Sequence, residues 1–236
     1  MEKFEYLQKR NRPFRGCTLY GSGKGYPGPS PRAPLAAAGL PFPPEEAEGR
    51  FQRLRQGDVS FVRLVIAWET LEYAGPGIYD ESFLASLRKI LVAAAHAGIA
   101  VFIDPVQNRW SRWISGEGAP PWALEQRDKG QEWLQERYFD CMRHCFRRLK
   151  NCAALIGWGA WAEDFSRPFM LRFAGRMREA REGIRFFMAE TSRTQGEEAH
   201  RMGIGDDPEW AAEAFCYYDG SAFPDYQGDW ETSATL

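Results

Sequence analysis

The chain has 236 residues, of which 44% are hydrophobic and 26% charged, and its formal net charge is −2. This length is enough for one large domain or two small ones, and the near-neutral charge gives no electrostatic case for binding nucleic acid or an anionic membrane. No window approaches the ~18 apolar residues of a membrane span, and no signal-peptide core is present at the N-terminus. The five cysteines follow no disulfide framework, so we expect reduced thiols and a cytoplasmic protein.

Predicted strands and helices alternate from the start of the chain. Residues 14–21 are a candidate strand, and a Gly/Pro-rich stretch over residues 21–44 follows, too long for a plain connection. Residues 43–58 are predicted as a helix, because acidic residues come first, basic residues follow and a glycine lies near the end. The run "FVRLVIAW" (residues 61–68) is typical of a strand that is buried on both faces.

A helix and a third strand come next. Asp80 can cap the helix and Gly98 stops it. Its apolar stripe consists of Phe83, Leu84, Leu87, Leu91 and Ala94. The stretch "IAVFIDPVQ" (residues 99–107) contains the third predicted strand, which Pro105 is expected to end. A loop rich in Trp, Gly and Pro covers residues 108–122.

The second half of the chain continues the alternation. An amphipathic helix is predicted over residues 131–151, a fourth strand begins at Leu155, and another helix covers residues 170–183. The long helix buries one face, made of Leu134, Tyr138, Cys141, Cys145 and Leu149. Residues 184–191 are a fifth strand, and residues 209–220 a short helix that runs into a sixth strand.

Cys141, His144, Cys145 and Cys152 superficially resemble a zinc-binding set. On a helix, Cys141 and Cys145 share the buried face while His144 points elsewhere, so we interpret the cysteines as helix core. We therefore expect no metal ion and no other cofactor.

Strand–helix units of about 30–40 residues imply parallel strands with crossover helices. A doubly wound sheet and a (β/α) barrel both fit, and in either the chemistry lies at the carboxyl ends of the strands. The residues there are mostly carboxylates and aromatics, with two amides: Trp68, Glu69, Asp104, Gln107, Asn108, Glu163, Asp164, Glu190, Tyr218 and Asp219. Such a ring suits a neutral polyol such as a sugar better than a phosphate.

Five stretches carry a more specific pattern: "FRGCTLYGSGK", "VSFVRLVIAWETLEYAGPGIYDESFLASLRKILVAAAHAGIAVFID", "PVQNRWSRWISGEGAPPWA", "LIGWGAWAED" and "AFCYYD". Together they resemble glycoside hydrolase family 5, especially its branch acting on glycolipids and steryl glucosides. The resemblance covers nearly the whole chain and is most specific over residues 59–104. It implies an α/β fold of the (β/α)8 TIM-barrel type, one domain over residues 1–236, and a carbohydrate or glycolipid substrate.

The resemblance also implies retaining hydrolysis of a β-glycoside, which needs two carboxyl groups about 5–5.5 Å apart. Glu163 falls on the acid/base position, Arg63 on the arginine that supports the nucleophile, and Tyr218 on the sixth-strand tyrosine. Glu190 is the best substitute for the nucleophile within this chain. The residues expected to contact substrate are Trp68, Gln107, Asn108, Trp110, Trp113 and Trp161. For the tryptophans, including Trp122, loop packing is an equal alternative.

Several positions depart from the family pattern. Val106 and Cys216 replace histidines, Asn108 an aspartate, Ala162 an asparagine and Asp164 a proline. No segment matches the seventh strand, which should carry the nucleophile, or the eighth, so we expect a barrel of about six βα units. The alternatives are a carbohydrate-binding pseudoenzyme and a subunit completed by a partner chain or a second copy. Arg63 could equally form a structural ion pair, and Asp104 could accept backbone N–H bonds at a strand end.

Overall fold

The computed structural model describes residues 16–20, 39–106, 118–159, 167–180, 185–188 and 210–212. Its parallel sheet consists of β1 (Gly16–Tyr20), β2 (Phe61–Ala67), β3 (Ala100–Val106), β4 (Leu155–Gly159), β5 (Arg185–Met188) and β6 (Trp210–Ala212). The strands lie side by side in the order in which they occur in the sequence. A doubly wound sheet reverses its order at a switch point, whereas a barrel adds every strand on the same side. The strand order therefore identifies the barrel type of winding.

Helices connect these strands. They are α1 (Ala47–Gln56), the single turn α2 (Trp68–Leu71), α3 (Glu81–His96), α4 (Pro121–Glu125), α5 (Gln131–Leu149) and α6 (Arg167–Arg178), with 3-10 turns at Pro44–Glu46 and Arg127–Lys129. The predicted signals of α3 are confirmed: the Asp80 side chain accepts from the backbone N–H of Phe83 at 2.9 Å, and Gly98 has a φ of +70° just past the end. The predicted apolar faces of α3 and α5 are also buried.

The two faces of the sheet have different surroundings, because successive side chains of a strand point to opposite sides. Val62, Leu64 and Ile66 of β2 belong to the hydrophobic core that the helices share, and Trp158 of β4 packs edge-on against Phe146 of α5. The other face of the sheet is the barrel interior. Its buried side chains include Thr18, Phe61, Arg63, Val65, Phe102 and Asp104.

Two local predictions were wrong. Pro105 does not end β3 but lies within it, opposite Ile66, and its carbonyl oxygen accepts from the Tyr138 hydroxyl at 2.8 Å. The missing N–H falls at the penultimate residue, where the loss to the strand ladder is small. Trp210–Ala212, expected in a helix, is a strand that pairs with β5 over Phe186–Met188. Pairing with a neighbouring strand outweighs the helix propensity of a short Ala-rich segment. The strand predicted over residues 214–219 lies outside the described residues.

Candidate active site

Of the predicted site residues, Arg63 lies within β2 and Trp68 directly follows that strand. Arg63 and Trp68 belong to the described part of the chain. The others lie outside the described residues: Gln107, Asn108, Trp110, Trp113, Trp161, Glu163, Glu190 and Tyr218. The geometry of the site is therefore built from β2, β3, β4 and the turns that follow β2 and precede α5.

Arg63 forms a buried ion pair with Asp104 in the barrel interior. Its Nε and Nη2 both lie 2.6 Å from Asp104 Oδ2. The two side chains are 3% and 0% exposed. The carboxylate of Asp104, expected to accept backbone N–H bonds, is thus engaged by a guanidinium instead, because β2 and β3 are neighbours and a buried arginine requires a compensating charge.

Gly159 at the end of β4 lies directly beside this pair. A Cβ on Gly159 would come within 2.8 Å of the Asp104 Cα and closer still to its carboxylate. Real Cβ atoms do not approach other atoms so closely, so the carboxylate occupies the space that a side chain at position 159 would need. This requirement could not be predicted from the sequence, since a glycine within a strand has several possible explanations.

Trp68 is a core residue rather than a surface on which a sugar could stack. It is 0% exposed, and its ring packs edge-on against Trp122 at 5.4 Å and against Tyr138 at 5.7 Å. The expectation that Trp68 contacts substrate is therefore corrected. The physical reason is that β2 ends at Ala67, so Trp68 opens the turn of α2 and lies against α5.

Glu72 is a buried carboxyl group that the sequence reasoning missed. It is 1% exposed and accepts from Trp68 Nε1 at 2.6 Å and from the backbone N–H of Gly77. Its own carbonyl oxygen accepts from Trp122 Nε1 at 2.6 Å. Burial raises the pKa of Glu72, and the hydrogen bonds from Gly77 and Trp68 only partly oppose this. The four-residue spacing from Trp68, one helical turn, was the available signal.

Trp68, Glu72 and Trp122 connect the turn after β2 with the segment that leads into α4. The backbone N–H of Glu69 donates to the carbonyl oxygen of Gly118 at 2.6 Å, and Trp122 reaches back to Glu72. Gly118 and Trp122 follow the segment that carries several of the predicted substrate contacts. These hydrogen bonds therefore hold Gly118 and Trp122 against the turn that follows β2.

The cysteines of α5 are core residues, as predicted. Cys141 and Cys145 are buried, and burial raises the pKa of both thiols. His144 points away from them, stacks on Tyr79 at 4.0 Å and lies 2.9 Å from a Glu81 carboxylate oxygen. Within the described ranges, no group of three or more His, Cys, Asp or Glu side chains is arranged to hold a metal ion. No helix in the same ranges is long and apolar enough to cross a membrane.

The fold and the site define a class: an α/β barrel with a buried ion pair in its interior. No family model matches the chain. A segment of 85 residues is 42% identical to a glucosylceramidase of Rhizopus delemar, covering 36% of this chain and 12% of that protein. Over 82 residues the chain is 35% identical to the ergosteryl-beta-glucosidase of Saccharomyces cerevisiae, covering 34% of this chain and 11% of that protein.

Solved structures agree with the sequence relatives. Endo-glycoceramidase II from Rhodococcus sp. superposes with a TM-score of 0.56 at 19% identity, over 75% of this chain and 48% of that one. At this identity the likeness shows the fold alone, which is the barrel fold of glycoside hydrolase family 5. Taken together, the findings relate this chain, over part of its length, to the steryl-glucosidase and glycoceramidase group of that family.

Proposed function

We propose that this chain forms the first six βα units of a retaining β-glycosidase site that cleaves glucosides with a hydrophobic aglycone. The sequence relatives are named for glucosylceramide and ergosteryl β-glucoside, two substrates in which a sugar is joined to an apolar group. The aligned segments span about an eighth of those proteins or less, so activity and substrate are carried over as part of this proposal.

In the proposed reaction, Glu163 is the general acid. A second carboxylate attacks the anomeric carbon as the bond from that carbon to the aglycone oxygen breaks, and Glu163 gives its proton to the departing oxygen. Water then attacks the glycosyl–enzyme bond, loses its proton to Glu163, and releases the sugar with retained configuration. Glu190 is our assignment for the second carboxylate within this chain, and Tyr218 is our assignment for the sixth-strand tyrosine.

The observation that carries the proposal is the buried Arg63–Asp104 pair. A buried ion pair is a poor stabilising device, because a well-packed apolar pair of similar volume is often as stable or more so. Its position in the barrel interior, on strands that end at the predicted site, therefore favours a role in function. A fixed guanidinium there can hold a nucleophilic carboxylate in its charged form.

A second candidate is a carbohydrate-binding protein without hydrolysis. It is favoured by Ala162, which stands where the family pattern has asparagine and so removes a hydrogen bond to the sugar 2-hydroxyl. Completion of the site by a partner chain or a second copy is a further part of the proposal, and so is a cytoplasmic location, which the buried free thiols of Cys17, Cys141, Cys145 and Cys152 support.

Hydrolysis of an aryl β-glucoside and of ergosteryl β-glucoside by the purified chain tests the proposal. The wild-type protein should release aglycone, and Glu163→Gln should abolish release, whereas Glu45→Gln, at an exposed position, should not. Calorimetry with glucose and an iminosugar separates the second candidate, which predicts binding without turnover. Sedimentation of the purified chain at several concentrations reports whether copies of the chain associate.

A further inference from the structure

The carboxylate of Asp104 lies between the guanidinium of Arg63 and the backbone of β4. Asp104 Oδ2 takes both guanidinium contacts at 2.6 Å, and Oδ1 faces the backbone of Gly159 on β4. Within the described part of the chain, Oδ1 is fully buried and has no hydrogen-bond partner. The carboxylate therefore cannot turn away from Arg63 without striking the β4 backbone.

The strand register places Asp104 nearer the site than Arg63. Arg63 lies opposite Phe102, whereas Asp104 lies opposite Val65, one inward-facing position further toward the carboxyl end of the sheet. Asp104 thus contacts the guanidinium from the side of the barrel mouth. The residue after it is held as well, because the Pro105 carbonyl oxygen accepts from the buried hydroxyl of Tyr138.

We propose that Asp104 is a positioning residue for the hydrolysis described above, acting through Arg63, and that Gly159 provides the gap its carboxylate requires. This inference rests on the proposed function. The carboxylate sets the direction and distance of the Arg63 guanidinium, and the bare backbone of β4 keeps that carboxylate in one orientation. A displacement of about 1 Å in such a group can cost about 10²-fold in rate.

A purely structural ion pair makes a different prediction from a positioning pair. If the pair only supports the fold, a variant loses stability while each folded molecule turns over at the normal rate. If the pair positions Arg63, kcat per folded molecule falls while KM changes little, because ground-state binding of the sugar is retained.

The test compares Asp104→Asn with Asp140→Asn in the full chain. Asp140 also pairs with arginines, Arg137 at 2.5 Å and Arg143 at 2.9 Å, but it lies on α5 outside the barrel. We expect Asp104→Asn to lower kcat per folded molecule by about 10²-fold with KM within about threefold, and Asp140→Asn to change neither. The folded fraction is measured by near-ultraviolet circular dichroism. A wild-type kcat in folded Asp104→Asn overturns the inference.

Gly159→Ala gives a second route that keeps both charges. It displaces the carboxylate, so kcat should fall as in Asp104→Asn, and Gly175→Ala on α6, where a Cβ meets nothing within 4 Å, is its control. Exchange in ¹⁵N-labelled wild-type protein tests the premise without any variant. Exchange of the Arg63 Nε–H as fast as that of exposed Arg53 would show that the guanidinium is not held in place, which overturns the inference. A wild-type chain that neither hydrolyses nor binds a glycoside overturns the proposed function itself, a result recognised without any variant.

Discussion

The indole N–H of Trp68 donates to the carboxylate of Glu72 at 2.6 Å, and both residues are almost completely removed from solvent. Burial of a carboxylate is unfavourable unless its oxygens are satisfied, and here one oxygen accepts from Trp68 and the other from the backbone of Gly77. This contact replaces the expected sugar-stacking role of Trp68 with a structural one.

The variant Glu72→Gln tests that arrangement. The amide presents one NH₂ where two N–H donors need oxygens, so we expect the free energy of unfolding to fall by about 1–3 kcal/mol at pH 5. Because burial raises the pKa of Glu72, its contribution is complete below the unfolded-state pKa and is lost as pH rises through the folded-state value. The difference between wild type and variant in urea unfolding should therefore shrink from pH 5 to pH 8. A difference that grows over this range would contradict the direction of the pKa shift.

Trp68→Phe should destabilise the protein without weakening sugar binding. The change removes the hydrogen bond to Glu72 and part of the packing against Trp122 and Tyr138, at a cost of about 1–3 kcal/mol. Trp133→Phe, at a partly buried ring, is the matched control and should cost less. Iminosugar affinity of the folded protein, measured by calorimetry, should stay within about twofold for Trp68→Phe. A large loss of affinity would return Trp68 to the substrate site.

The Arg63–Asp104 pair should behave as a unit in stability measurements. Arg63→Met and Asp104→Leu each leave a buried charge uncompensated, and we expect each to cost about 3–5 kcal/mol. The double variant should lose clearly less than the sum, since neither charge then remains. Urea unfolding of the four proteins measures this coupling, and additive losses would show that the two charges do not depend on each other.

Gly159→Ala and Gly175→Ala should change stability in opposite directions. The methyl group at position 159 would strike Asp104, and overpacking of this kind costs about 1–3 kcal/mol. At position 175, within α6, the space is open and alanine has the higher helix propensity, which should add about 0.5–1 kcal/mol. Thermal unfolding of both variants checks the contrast, and a tolerated alanine at position 159 would mean that the carboxylate is not fixed there.

Local signals in the sequence were sufficient for most of the described elements. Asp80 and Gly98 bound α3 because capping and left-handed backbone are decided by the residues themselves. The need of Arg63 for a carboxylate was also predictable. That the carboxylate is Asp104, 41 residues away, was not, because the pairing depends on strand register.

Tertiary contacts explain the predictions that were wrong. Trp210–Ala212 has the composition of a helix but pairs with β5, and Trp68 lies in the core because α2 turns it toward α5. Whether Glu163 and Glu190 come together, as the mechanism requires, remains a prediction from the sequence.

We propose that this chain belongs to a working glycosidase site with Glu163 as its acid. The most direct measurement is release of ergosterol from ergosteryl β-glucoside by purified wild-type and Glu163→Gln proteins, followed with the anomeric form of the sugar by NMR. We predict release with β-glucose as the first product from the wild-type chain, and none from Glu163→Gln. Equal release by the two proteins would contradict the role of Glu163, and α-glucose as the first product would contradict a retaining reaction.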